Sequence, residues 1–77
     1  MNETAHGSIG EPAPNATDLR VLQALASEPS MKAVAERLGR SPRHTRRLVH
    51  EVVDRVGAPH ARAALALAGQ RGWVTVD

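Results

Sequence analysis

The stretch SMKAVAERLGRSPRHTRRLVHEVVDRVG, residues 30–57, holds two helix starts and two helix stops. Ser30 is a capping residue, and behind it Met31, Val34, Ala35 and Leu38 recur at i, i+3, i+4 and i+7, the spacing that lines one face of an α-helix. Gly39 ends that helix, because glycine takes the left-handed conformation of a C-terminal stop without a steric penalty. After Gly39 and Arg40, Ser41 offers a second cap, with Pro42 at the first helical position, where a missing N–H is tolerated. The helix that begins there has an expected buried stripe of Thr45, Val49, Val52, Val53 and Val56, which leaves Arg43, Arg46, Arg47, His50 and Asp54 on its outer side. Gly57 is the expected stop.

Outward from this pair the chain reads as helical on both sides. Asn15, with Asp18 three residues later, is a variant capping box that opens a first helix with an expected apolar face of Leu19, Leu22, Leu25 and Ala26, and Pro29 prevents its continuation. Pro59 opens a fourth helix, alanine-rich from His60 to about Gln70, with Gly72 beyond its end and Trp73 and Val74 placed to fold back on the core. Val74, Thr75 and Val76 are too few to build a sheet and read as a terminal extension. Residues 1–14, with Gly7, Gly10, Pro12 and Pro14 and little apolar material beyond Ile9, read as a flexible tail. The expected architecture is all-α, a four-helix helix-turn-helix domain over residues 15–77 preceded by that tail.

Composition narrows the function. A chain of 77 residues holds one domain, so a stand-alone unit is expected, and without cysteine its core must rest on helix packing. There is no export signal and no apolar run of about 18 residues, so a cytoplasmic protein without a membrane span is expected. Net charge is +2, but Glu3 and Glu11 fall in the first fourteen residues with no lysine or arginine; the remainder sets ten basic against six acidic residues, or +4. Arg37, Arg40, Arg43, Arg46 and Arg47 lie within eleven consecutive residues that contain no Asp or Glu, a local field that suits phosphate.

Other chemistries fit poorly. His50, Glu51 and Asp54 resemble a degenerate zinc-protease helix but lack the second histidine, and a triad assembled from Ser30, His44 and Asp54 has no strained nucleophile turn; neither catalysis, metal nor cofactor is expected. Trp73 is the one aromatic residue, too little for base-stacking recognition of single strands.

Two short helices joined by a glycine-containing turn, the second bearing outward arginines, present side chains to base edges in the major groove of double-stranded DNA. Arg46 and Arg47 are suited to guanine O6 and N7, with His50 one turn further along. Ser30, Lys32, Arg40, Ser41, Arg43 and His44 lie near helix N-termini, where backbone N–H groups favour phosphate, and are the expected phosphate contacts.

Two segments then point to a family. VLQALASEPSMKAVAERLGRS, residues 21–41, and ARAALALAGQRGWV, residues 61–74, resemble the LuxR/GerE-type DNA-binding domain of bacterial transcription regulators, the likeness covering roughly residues 15–74. The resemblance implies a four-helix domain with helix 3 in the major groove and base-facing positions at Arg46, Arg47 and His50. It also implies a homodimer contact through helix 4, whose apolar character around most of its circumference fits a partner; Ala61, Ala64, Leu65 and Ala68 are the expected contact residues. The chain departs from the family pattern at His44 (usually threonine), Thr45 (usually valine), Arg40 (usually aliphatic) and at Pro59 and His60 (usually serines), so operator preferences of relatives do not transfer. Thr45 places a hydroxyl in the core that is expected to bond back to the Ser41 carbonyl. The competing expectation is a helix-turn-helix adaptor that binds another transcription regulator, a sigma factor or RNA polymerase through the same basic surface without reading DNA.

Overall fold

The computed structural model describes residues 14–75. Apart from Pro14, the expected tail lies outside this range, as do Val76 and Asp77. Four helices follow one another, α1 (Ala16–Ser27), α2 (Met31–Leu38), α3 (Pro42–Arg55) and α4 (Ala61–Gln70), with no strand among the described residues. The fold is all-α. α1 packs against each of the other three helices, and α3 packs against α2 and α4, so α1 and α3 form the centre with α2 and α4 on either side.

Local chemistry sets each boundary. The Asp18 N–H donates to Asn15 Oδ1 (2.8 Å) and the Asn15 N–H donates to an Asp18 carboxylate oxygen (3.0 Å), the reciprocal bonding of a capping box. Ser30 Oγ accepts from the Ala33 N–H and Ser41 Oγ from the His44 N–H, each at 3.1 Å, so α2 and α3 start where the serines stand. Gly39 closes α2 at φ 69°, ψ 33°, while the Arg40 N–H bonds the Ala35 carbonyl at 3.0 Å. At the end of α3 the Ala58 N–H reaches the Val53 carbonyl in the same way (3.0 Å).

At α4 the unusual cap works as an acceptor: His60 Nδ1 receives the Ala63 N–H at 3.2 Å. Imidazole is not among the favoured caps, and a carboxylate there also meets the positive end of the helix dipole. His60→Asp is therefore expected to stabilise the chain by about 0.5–1 kcal/mol, read as a higher thermal midpoint. An unchanged or lower midpoint would show that His60 already caps as well as an aspartate.

The core is made of Val21, Leu22, Val49, Val52, Val53, Val56, Ala64, Ala68 and Val74, with Leu25, Leu38, Leu65, Leu67 and Trp73 among the partly buried residues packed on it. The α3 stripe is buried at all five expected positions, and Val34 and Ala35 of α2 are buried with Met31 and Leu38 half-buried. α1 differs from expectation. Val21, Leu22 and Ala24 are its buried apolar residues, while Leu19, Leu25 and Ala26 are half-buried. A helix touched by three others buries a wider arc than one stripe, which brings Val21 and Ala24 inside.

Thr45 is fully buried, but its Oγ1 has no hydrogen-bond partner. The Ser41 carbonyl accepts the Thr45 backbone N–H at 2.9 Å, and the expected bond from the hydroxyl is not made.

Two long-range contacts tie the ends together. An Arg55 guanidinium nitrogen of α3 lies 3.2 and 3.3 Å from the two carboxylate oxygens of Asp18, itself buried in α1. The Gln23 amide both donates to the Thr75 carbonyl (3.1 Å) and accepts from the Thr75 N–H (3.0 Å), pinning the segment after α4 along α1. Val74 is buried, and Arg71 lies over the Trp73 ring at 5.8 Å from its centroid.

Candidate nucleic-acid interface

The five α3 residues on the inner face fix the rotation of the helix and with it the direction of every other side chain. Arg43, Arg46, Arg47, His50 and Asp54 are all exposed, as the periodicity requires. Ser30, Lys32, Arg40, Ser41 and His44 are exposed as well, so the nine residues expected to touch bases or phosphates all reach the surface. Their placement follows from the turn at Gly39, which leaves only Gly39, Arg40 and Ser41 between the end of α2 and the start of α3. The serine hydroxyls accept from backbone N–H groups in the caps, and a hydroxyl that accepts can still donate its own hydrogen to an anion.

The basic run is not uniform. Arg37 is drawn back to Glu28 at 3.3 Å, a half-exposed pair worth little in stability but enough to occupy part of its charge. Arg40, Arg43, Arg46 and Arg47 form no ion pair among the described residues. Exposed Glu51 and Asp54 follow within the last turns of α3. The helix is thus cationic over its first half and carries exposed Glu51 and Asp54 beside the paired Arg55 towards its end, and the positive end of the helix dipole adds potential on the cationic side.

The helix 4 expectation needs correction. Ala64 and Ala68 are fully buried in the chain's own core and present no surface to a partner, while Ala61 and Leu65 are half-buried against the same core. In an alanine-rich helix both faces look alike in sequence, and packing on α1 and α3 has taken the one that was assigned to a second copy.

Among the described residues no group of three or more His, Asp and Glu side chains could hold a metal ion. Among the described residues, surface hollows of about 340 Å³ beside Glu51, Asp54 and Arg55 and about 150 Å³ beside Arg20, Gln23, Arg37 and Leu38 lie outside the arginine face of α3. No described helix is long and apolar enough to cross a membrane. Sequence reasoning missed the Asp18–Arg55 and Glu28–Arg37 pairs, whose only sequence signal is a charge of opposite sign at a distance no periodicity links. No family model, curated protein or solved structure matches the chain.

Proposed function

We propose that the chain is a sequence-specific transcription regulator of the LuxR/GerE type that its sequence resembles, binding double-stranded DNA with α3 in the major groove. The observation that carries this reading is the acid-free run Arg40–Arg47, exposed at every position but Thr45, which spans the cap and first turns of a helix held by its valines. A major groove admits one α-helix, and the planar guanidinium matches the O6 and N7 pair of guanine. Arg46, Arg47 and His50 read bases in this account. Ser30, Lys32, Arg40, Ser41 and His44 hold phosphates and set register. Two copies on half-sites about 34 Å apart remain part of the proposal, joined through a surface other than Ala64 and Ala68.

The test compares variants over a panel of duplexes differing at single base pairs. Arg46→Ala and Arg47→Ala are each expected to cost roughly 1–3 kcal/mol on the preferred site and to relax preference at one position, whereas Lys32→Ala weakens every duplex alike. Equal losses on all sequences for all three variants would show that α3 reads no bases.

A further inference from the structure

The rotation of α3 assigns a reading role to a residue that its position at a helix start had marked for phosphate. At about 100° per residue, the direction opposite the buried set Thr45, Val49, Val52, Val53 and Val56 is centred on Arg47. Arg43, one turn earlier, lies closer to that outward direction than Arg46, which sits about a quarter turn to one side. Exposed Glu51 and Asp54 burden the C-terminal end of this face with charge that phosphates repel, while its first half carries arginines and the positive end of the helix dipole. A polyanionic groove therefore draws the helix in by its N-terminus. Side chains on a helix lean towards that terminus, so the Arg43 guanidinium projects ahead of the helix, deepest into a groove entered this way. Arg37 and Arg55, tied to Glu28 and Asp18, do not compete for the position.

The geometry points to Arg43 as a base-reading residue that acts with Arg47 on two guanines. Four residues advance the helix by about 6 Å, and a helix inclined into the groove projects less than that along the duplex, so the guanines stand within two base steps of about 3.4 Å of each other. This inference rests on the DNA-binding reading of α3.

Selection from a random duplex library with the full chain tests it, with wild type and Arg43→Gln run side by side. Wild type is expected to enrich sites with two guanine positions within two steps of each other. Glutamine pairs with adenine N6 and N7, so Arg43→Gln is expected to replace one of these guanines by adenine, with a change in preference of about tenfold or more and the other guanine kept. Such a switch is a gain that a misfolded variant cannot produce. Uniform weakening of all sites, with the dependence on salt reduced by about one phosphate and no change of base, would make Arg43 a phosphate contact and overturn the inference while leaving the DNA reading standing. Wild-type selection that enriches duplexes without the guanine pair would also overturn it. A wild-type chain that retains no duplex at all would overturn the DNA-binding reading and this inference with it.

Discussion

Asp18→Ala is expected to destabilise the chain by about 2–3 kcal/mol, because one carboxylate completes the cap of α1 and holds α3 to α1. The side chain is 6% exposed, accepts the Asn15 N–H and meets Arg55 with both oxygens. The Asn15 Oδ1 bond to the residue 18 N–H survives, so loss of the reciprocal half of the capping box costs less than the about 1 kcal/mol of a lost N-cap, while a charge-assisted bond to a buried acceptor is worth roughly 1.5–3. The second figure is discounted here because the Arg55 side chain is 40% exposed, so solvent screens the pair. For a domain of this size each kcal/mol moves the thermal midpoint by about 4–8 °C, so a fall of the order of 10–20 °C is expected in a melt followed by circular dichroism. Asp18→Asn keeps an acceptor for the cap and loses the charge, and should fall between the two. A change below about 1 kcal/mol for Asp18→Ala would show that the contact with Arg55 adds nothing to the cap.

Thr45→Val is expected to act in the opposite sense, raising stability by about 1–2 kcal/mol. The hydroxyl is fully buried without a partner, and valine replaces it with a methyl of nearly the same size, leaving no cavity. Burying an unsatisfied hydroxyl costs about 1–3 kcal/mol on protein scales, and that cost is what the substitution removes. Thr45 faces the core from the side of α3 opposite Arg47, so the DNA binding proposed for that face should be unaffected while the midpoint rises by roughly 5–10 °C. Unaltered or reduced stability would mean that the hydroxyl is satisfied in solution.

Helix limits were legible because short-range chemistry sets them. Ser30, Ser41, Pro42, Gly39 and Gly57 each act within a few residues, and the valines of α3 contrast sharply with its arginines. What escaped depends on the third dimension. Asp18 and Arg55 are 37 positions apart, and Gln23 and Thr75 are 52, so nothing local joins them. The wide inner arc of α1 arises from having three neighbours. Ala64 and Ala68 could not be told from Ala63 and Ala66 because alanine carries too little contrast to orient a helix, and Thr45 was placed correctly in the core while its hydroxyl geometry was not. The exposed arginine face could be read in the sequence; its division by the Glu28 pair and by Glu51 and Asp54 needed the fold.

The most direct measurement of the central claim, that the first half of α3 is a polyanion-binding surface, is the affinity of the full chain for a labelled duplex at several salt concentrations. Each neutralised phosphate contributes about −0.9 to the log-log slope, so engagement of three or more of the exposed arginines predicts a slope of about −3 or steeper. A flat dependence, or no binding at low salt, would contradict the claim and leave the basic face to an acidic protein partner.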